Sequence, residues 1–230
     1  MIRYDDGTVF NVGTEAVVNA VNCVGVMGTG LALEFRLRFP EMFIEYERRV
    51  EDSSLALGKL HYYQDSSGIT IVNFPTKNHF RAPSRLEWIE RGLQNFVETY
   101  DKWGFTSIAF PSLGTGYGGL RWQDVQPLME CYLRDLNLDV VICLDNFPYA
   151  DGIEKEMVEW LNSVELTTLS SHVRLSKLQS KALAENRPYK RFRAIHKTKG
   201  IGAKTYEAIF THVYEEVTTE SDKVGQLKLF

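Results

Sequence analysis

The sequence predicts a three-layer α/β fold over roughly its first 160 residues, with helices on both faces of a mixed, mostly parallel sheet. Short apolar runs alternate with amphipathic stretches of helical period, which is typical of strands joined by helical crossovers. The run at 16–21 is apolar and β-branched, as a buried parallel strand should be. Glycine-rich segments follow two of these runs, which is typical of ligand-binding loops.

The other elements are predicted from the same periods. We predict further strands at 60–64, 69–74, 107–110 and 139–144. We predict helices at 31–50 with a break near Pro40, at 84–103 and at 123–136. Ser84, followed by Glu87, has the pattern of a helix N-cap with a capping box. Ligands bind in such folds where parallel strands end, so the loops after residues 21, 74 and 110 should border one site.

The net charge of −4 conceals a strong asymmetry along the chain. Residues 1–170 hold 14 lysines and arginines against 24 aspartates and glutamates, whereas residues 171–205 hold ten against one. A sign change of this size predicts a second region with a different partner. We therefore predict an α/β domain at 1–163, a basic helical region at 164–217 and a flexible tail at 218–230.

Composition excludes several classes of protein. No apolar run approaches the length of a membrane span, and the acidic start of the chain lacks a signal peptide's apolar stretch. Cys23, Cys131 and Cys143 are widely spaced and form neither a zinc pattern nor a disulfide framework. We expect a cytoplasmic protein that uses no metal or cofactor and does not associate with a membrane.

Two glycine-rich loops, at 24–30 and 111–120, each lie between a predicted strand and a predicted helix. Backbone N–H groups approach an anion closely at glycine, and a helix N-terminus adds a favourable dipole. The loops are candidates for holding a diphosphate from opposite sides; the alternative is a pair of tight turns. Neither is a Walker loop, because no Gly-Lys-Ser/Thr follows, and the first lacks the third glycine of a dinucleotide fingerprint.

Ordered motifs run through these loops: VNCVGVMGTG at 21–30, NFPTKNHF at 73–80, PSLGTG at 111–116 and GYGGL at 116–120. They resemble the macrodomain family, and more narrowly the antitoxin macrodomains of DarT–DarG systems, over roughly residues 1–145. In those systems the toxin attaches ADP-ribose to thymidine in single-stranded DNA, and the macrodomain removes it. The resemblance implies a macrodomain fold and the same hydrolytic activity.

The resemblance also implies which residues bind ADP-ribose. Asn22 would hydrogen-bond the distal ribose, although an asparagine here could instead brace the loop. The implied set is Thr8, Val21, Asn22, Val26, Met27, Gly28, Thr29, Gly30, Pro111, Ser112, Gly114, Thr115, Gly116 and Tyr117. Gly7-Thr8 stands where many macrodomains have Gly-Asp, so another group must recognise the adenine amino group.

Lys77 matches the lysine on which catalysis depends in this branch. Its amine could attack the anomeric carbon covalently, or its cation could stabilise developing charge while water attacks. A related human glycohydrolase pairs such a lysine with an aspartate at about the position of Gly118, which has no side chain, so we favour the cation. His79, Phe80 and Arg81 are predicted to contact the nucleobase or DNA. The alternatives are a solvated surface lysine and a histidine that packs internally.

The basic region interleaves its cations with aromatic and histidine side chains, as nucleic-acid-binding surfaces do. Within it, residues 198–209 resemble the hairpin of a helix-hairpin-helix DNA-binding element. Such a Gly-hydrophobic-Gly turn directs N–H groups at a phosphate, and Ile201 would pin it to a small core. The predicted contacts are Lys199, Gly200, Gly202 and Lys204. The alternative is a solvated basic helix face.

The last five residues, QLKLF, resemble the peptide by which bacterial replication and repair proteins dock on the sliding clamp. The glutamine would form hydrogen bonds that anchor the peptide, while leucine and phenylalanine fill an apolar pocket. The predicted clamp contacts are Gln226, Leu227, Leu229 and Phe230. The alternative is a hydrophobic tail packed on its own domain.

We therefore predict a hydrolase that removes ADP-ribose from thymidine-linked DNA and reverses a DNA ADP-ribosyltransferase toxin. Its expected partners are ADP-ribose, ADP-ribosylated single-stranded DNA, a cognate toxin and the bacterial sliding clamp. One alternative is a module that binds ADP-ribose without cleaving it. Others are a hydrolase of protein-linked or free ADP-ribose derivatives and a structural DNA-binding protein.

Overall fold

The computed structural model describes residues 1–227, with side chains described up to residue 219. Leu229 and Phe230 of the predicted clamp-binding peptide lie outside the described residues, as do the side chains of Gln226 and Leu227. The chain divides into two compact units, and the second begins at Phe147. No helix within residues 1–227 combines the length and the hydropathy that crossing a membrane requires.

The first unit is built on a six-stranded sheet in the order β1-β6-β5-β2-β4-β3. Its strands are β1 (Ile2–Asp5), β2 (Ala16–Asn22), β3 (His61–Gln64), β4 (Thr70–Lys77), β5 (Ser107–Pro111) and β6 (Asp139–Cys143). The β3–β4 pair is antiparallel and the other pairs are parallel, which confirms the predicted mostly parallel sheet. Strand β1 is not among the predicted strands, because its largely polar sequence at the sheet edge has no apolar run.

The helices of this unit are α1 (Gly30–Arg38), α2 (Pro40–Glu51), α3 (Leu86–Thr99) and α4 (Trp122–Leu133). Pro40 occupies the first position of α2, which confirms the predicted break. The predicted N-cap at Ser84 is wrong: Arg85 precedes α3, and its side chain makes no capping hydrogen bond. Ser84 is instead buried, and its backbone N–H donates to the second glycine-rich loop.

Two apolar clusters cover the two faces of the sheet. On one face, residues of α3 and α4 pack with Phe74 and Phe110 of the strands. On the other face, Phe35 of α1 and Tyr46 of α2 pack with Val17 and neighbouring strand residues. Alternate strand residues thus enter opposite clusters, as the period of a strand requires. The predicted three-layer arrangement is confirmed.

The second unit is helical, as predicted. It contains α5 (Gly152–Ser163), α6 (Leu166–His172), α7 (Lys177–Glu185), a 3₁₀ segment (Phe192–Lys197) and α8 (Ala203–Leu227). The second unit begins at Phe147, earlier in the chain than the boundary predicted between residues 163 and 164. The reason is that α5 packs within this unit: Glu154 forms a buried ion pair with Arg191 at 2.9 Å, and Asn162 hydrogen-bonds Tyr189.

Helix α8 continues through residue 218, the predicted start of a flexible tail. Ile209, Val213 and Val217 lie at helical spacing and are buried, so the apolar stripe of the helix reaches the predicted boundary. The first residues assigned to the tail are therefore helical.

Candidate active site

The parallel strands β1, β2, β4, β5 and β6 end at the same edge of the sheet, and the loops after them form the candidate site. Thr8 follows β1, the first glycine-rich loop follows β2, and the second follows β5. Lys77 is the last residue of β4. The topology thus brings the whole predicted ADP-ribose set and Lys77 to one edge.

Strands β2 and β5 diverge at this edge. They pair only at Ala16 with Ile108 and at Val17 with Ala109, near the start of each strand. Their remaining residues have no pairing with each other, so the two glycine-rich loops face each other across a crevice. This is the crossover point of an open α/β sheet, where ligand sites form.

The side chain of Asn22 organises the first glycine-rich loop. Its amide nitrogen donates to the carbonyl oxygen of Val26 at 2.5 Å, and its amide oxygen accepts from the backbone N–H of Val24 at 3.0 Å. The hydroxyl of Tyr46 donates to the Asn22 carbonyl oxygen at 2.8 Å. Asn22 is buried and its side chain braces the loop, while its contact with the distal ribose stays a prediction. Tyr46 carries no functional signal in the sequence, because a buried helical tyrosine has the pattern of a core residue.

The same loop leads into the N-terminus of α1. Thr29 is the N-cap residue, and its side chain makes no capping hydrogen bond. The first-turn N–H groups therefore keep their capacity to donate to an anion. The side chain of Met27 is buried in the core, so Met27 offers only its backbone to the loop.

The second glycine-rich loop has no space for a side chain at Gly118. A Cβ atom there would overlap the carbonyl oxygen of Gly114 and lie 2.5 Å from the Ser84 hydroxyl oxygen. The Ser84 backbone N–H donates to the Gly118 carbonyl oxygen at 2.9 Å, which holds the loop against the start of α3. The loop therefore excludes an aspartate at the position where a related enzyme has one. Ser84 was missed as a site residue, because its sequence pattern indicates a helix cap.

The two glycine-rich loops meet at Tyr117. A Cβ atom on Gly30 would lie 3.0 Å from the Tyr117 ring, so the ring lies against the start of α1. Gly30 has a φ of 60°, in the left-handed region that favours glycine. The Tyr117 side chain is 75 % exposed, so its ring is available to a ligand in the crevice.

Lys77 lies between the loops rather than in open solvent. Its Nζ donates to the carbonyl oxygen of Tyr117 and lies 3.5 Å from that of Phe80. The Lys77 carbonyl oxygen accepts from the Cys23 backbone N–H at 3.1 Å, which ties the end of β4 to the first loop. Partial burial lowers the pKa of the Lys77 ammonium.

An aromatic group follows Lys77 in the chain. The rings of His79 and Phe80 stack with centroids 4.4 Å apart, and the Arg81 guanidinium lies 5.2 Å from the Phe80 centroid. The Arg81 backbone N–H donates to His79 Nδ1 at 3.2 Å. Phe80 and Arg81 are exposed, so the group presents a ring and a cation to solvent.

The predicted hairpin lies in the second unit. The N–H of Ile201 donates to the Thr198 carbonyl oxygen, and Gly200 has a φ of 84°, so residues 198–201 form a tight turn. Gln179 of α7 donates to the Gly200 carbonyl oxygen at 2.9 Å. Ile201 is buried as predicted. Lys199, Gly200, Gly202 and Lys204 are exposed at the start of α8.

A surface cavity of about 420 Å³ lies elsewhere in the first unit. It borders strand β3 and is lined by Glu45, Arg49, His61 and Trp103 among others. Burial lowers the pKa of His61, whose Nε2 lies 3.0 Å from Glu45 Oε1. We place the candidate functional site at the glycine-rich loops, because they present backbone N–H groups that can bind an anion. The cavity beside β3 has no comparable glycine-rich backbone.

The fold and loops define an α/β module that can hold a diphosphate-bearing ligand at its sheet edge. The family model described as Macro domain matches residues 18–129. The structure is similar to the macrodomain of Mycobacterium tuberculosis DarG, with 41 % identity and a TM-score of 0.61 over 62 % of this chain and 97 % of that one. The chain belongs to the macrodomain family.

Two further relatives have longer chains. A Mycobacterium tuberculosis protein named DNA ADP-ribosyl glycohydrolase is 38 % identical over 184 residues, which are 75 % of this chain and 51 % of that protein. The structure of Thermosipho africanus DarTG in complex with ADP-ribose is 33 % identical, with a TM-score of 0.61 over 67 % of this chain and 44 % of that one. The chain thus spans about half the length of these relatives.

Proposed function

We propose that this protein hydrolyses the bond that joins ADP-ribose to a DNA base, with ADP-ribosylated thymidine as its substrate. The observation that carries the proposal is the position of Lys77, which is held between two glycine-rich loops at the end of β4. The relatives named as DNA ADP-ribosyl glycohydrolases support the choice of a DNA-linked substrate.

The crevice accounts for the binding of ADP-ribose. The diphosphate lies between the loops, where N–H groups of the first turn of α1 donate to its oxygens. Tyr117 covers the distal ribose from the second loop. Thr8 lies in the loop after β1 on the same edge, where the adenine end of the ligand binds.

The reaction breaks the bond between the anomeric carbon and the base. Water adds to the anomeric carbon, the bonding electrons leave with the base, and the proton released by water passes to the base. Negative charge develops on the base as it departs, and the Lys77 cation stabilises that charge. This role needs no carboxylate partner, which agrees with the exclusion of a side chain at Gly118.

The aromatic group at residues 79–81 supports recognition of a nucleobase. Phe80 is exposed close to Lys77 and offers a ring face on which an unpaired base can stack. The Arg81 guanidinium beside that ring can contact a neighbouring phosphate. A protein-linked ADP-ribose has no nucleobase as its leaving group to place there.

Release of ADP-ribose tests the proposal directly. The unaltered protein should release ADP-ribose rapidly from a single-stranded oligonucleotide that carries ADP-ribosyl-thymidine, and slowly from an ADP-ribosylated protein. Comparable release from both would favour a general ADP-ribosyl hydrolase. Binding of ADP-ribose without release from either substrate would favour a module that only binds it.

The second unit supports the DNA-linked substrate through its charge. The first 170 residues are acidic and repel a phosphate backbone, whereas residues 171–205 are strongly basic. This basic segment of the second unit, with the 198–202 hairpin as a phosphate contact, raises the effective concentration of DNA at the catalytic unit. We further propose that a cognate ADP-ribosyltransferase toxin attaches the ADP-ribose that this protein removes, and that both proteins act in the cytoplasm.

Replacing Asn22 with alanine should weaken ADP-ribose binding about 10- to 100-fold. The loop would lose the hydrogen bonds that the amide makes to Val24 and Val26, each of which contributes about 1 kcal/mol. Titration calorimetry with ADP-ribose measures the effect. Asn78→Ala, in the exposed loop after β4, is the matched control. Equal affinities of the two variants would show that Asn22 has no part in binding.

The C-terminal peptide remains a sequence-based proposal. Deleting residues 226–230 should abolish binding to the bacterial sliding clamp, because Gln226, Leu229 and Phe230 supply the anchoring groups. Surface plasmon resonance on immobilised clamp measures this, and a substitution of Lys228 alone should preserve binding. Clamp binding that survives the deletion would refute the proposal.

A further inference from the structure

Two aromatic side chains are exposed where the second unit begins. Phe147 is 42 % exposed and Tyr149 is 60 % exposed, separated only by a proline. Large aromatic side chains usually contribute to a core, and this unit has one that includes Phe192 and Phe210. Two neighbouring exposed rings therefore indicate a surface that binds something.

The backbone that carries these rings is fixed in place. The Arg191 guanidinium donates to the Phe147 carbonyl oxygen at 2.8 Å, and the Ala150 backbone N–H donates to the Lys190 carbonyl oxygen at 2.7 Å. Arg191 is itself held by Glu154 of α5 through a buried ion pair. The backbone beneath the rings is thus preorganised, which lowers the entropic cost of binding.

One cation lies beside a ring, and others follow it closely in the chain. The Lys190 Nζ lies 5.0 Å from the centroid of the Tyr149 ring. Arg191 leads directly into the 3₁₀ segment, on which Arg193 and Lys197 are exposed. Residues 171–205 contain a single carboxylate, Glu185, so the segment that carries Lys190 and the 3₁₀ cations is strongly basic. The segment that carries the rings is not, since Asp145 and Asp151 flank it.

We propose that Phe147, Tyr149, Lys190 and the basic 3₁₀ segment form a binding surface for single-stranded DNA. Unpaired bases stack on the two rings while the cations neutralise the flanking phosphates, the combination by which proteins hold single strands without sequence preference. The choice of DNA as the occupant rests on the proposed function. The surface goes beyond the hairpin contact, because it adds a preference for unpaired bases.

The two aromatic rings distinguish this surface from one that binds only phosphates. A duplex stacks its bases internally and offers only its phosphates and groove edges to a protein. Cations and a glycine hairpin would therefore bind duplex and single strand alike. Exposed rings contribute only when bases are unpaired, so affinity should favour the single strand.

Fluorescence anisotropy with the full chain tests the proposal. The probes are an unmodified single-stranded DNA oligonucleotide of about 16 nucleotides, its duplex and the RNA of the same sequence. The double variant Phe147→Ala/Tyr149→Ala should bind the single strand at least about 10-fold more weakly, since stacking contributes about 1–3 kcal/mol per base. Duplex affinity should change little.

Matched variants separate stacking from folding. Leu178→Ala removes an apolar side chain that is 80 % exposed on α7 and should leave the affinity unchanged. Tyr149→Phe keeps the ring and should keep the affinity. Lys190→Gln should reduce the slope of log affinity against log salt by about 0.7, the value expected for one phosphate contact on a single strand.

Several outcomes would overturn the inference. Single-strand binding that is unchanged in the double variant would show that the rings take no part. If the duplex or the RNA bound as tightly as single-stranded DNA, the proposal that single-stranded DNA is the ligand of this surface would be refuted. Binding of an unmodified oligonucleotide needs no hydrolysis, so a protein that binds single strands but releases no ADP-ribose would contradict the proposed function and leave this surface established.

Discussion

Replacing Lys77 with alanine should lower the rate of ADP-ribose release from ADP-ribosylated DNA by about 100- to 1,000-fold, the usual cost of losing a group that stabilises transition-state charge. The Lys77 Nζ lies where the two glycine-rich loops meet and would be next to the departing base. Single-turnover release from a modified oligonucleotide measures the effect. Lys102→Ala, an exposed lysine in the turn after α3, is the control.

The affinity of the same variant for ADP-ribose separates an enzyme from a module that only binds. Removing Lys77 should change that affinity by no more than a few-fold, because the diphosphate is held by backbone N–H groups. A large loss of affinity with an unchanged rate would show that Lys77 binds ligand and does not take part in the chemistry.

The pH dependence of the rate decides between the two roles of the lysine. Partial burial lowers the pKa of Lys77, so its cation is lost as pH rises through a value below that of an ordinary lysine. A stabilising cation therefore predicts a rate that falls on the alkaline side, and Lys77→Arg should keep part of the activity. A nucleophilic amine predicts a rate that rises with pH over the same range and an inactive arginine variant.

Replacing Gly118 with alanine should disable the site through the second glycine-rich loop. The added Cβ atom would meet the carbonyl oxygen of Gly114, and backbone cannot move aside as the end of a flexible side chain can. We expect an unfolding free energy about 1–3 kcal/mol lower, as for overpacked cores, and at least about 10-fold weaker ADP-ribose binding as Ser112 to Tyr117 shift. Thermal unfolding and calorimetry measure the two effects.

Gly116→Ala is the control within the same loop. A Cβ atom at Gly116 would meet nothing within 4 Å, and its φ lies outside the left-handed region. It should therefore keep the unfolding free energy of the unaltered protein, and it serves as a control for folding alone. If Gly118→Ala behaved like Gly116→Ala, the loop would be free to rearrange. In that case the absence of an aspartate beside Lys77 would have no steric cause.

The order and type of the main elements could be predicted from the sequence, because periodicity is a local property. A buried parallel strand such as β2 is a short apolar run, and a helix such as α3 repeats its apolar residues about every 3.6 positions. Pro40 marks a helix start by its own geometry. Local patterns failed where tertiary contacts determine the structure. Strand β1 was not predicted because it is an edge strand with little apolar signal. Ser84 was predicted to cap a helix, but its backbone N–H supports a loop instead.

The motifs in the two glycine-rich loops and at Lys77 were visible in the sequence, because a ligand-binding backbone needs particular residues at short spacings. Three features required the tertiary structure: the divergence of β2 from β5, the contact of Lys77 with a residue 40 positions away, and the fixing of Phe147 by Arg191. Each joins segments that are distant in the chain. The first two follow from how the sheet and helices of the first unit pack, and the third from how the helices of the second unit pack. No local pattern of residues encodes these contacts.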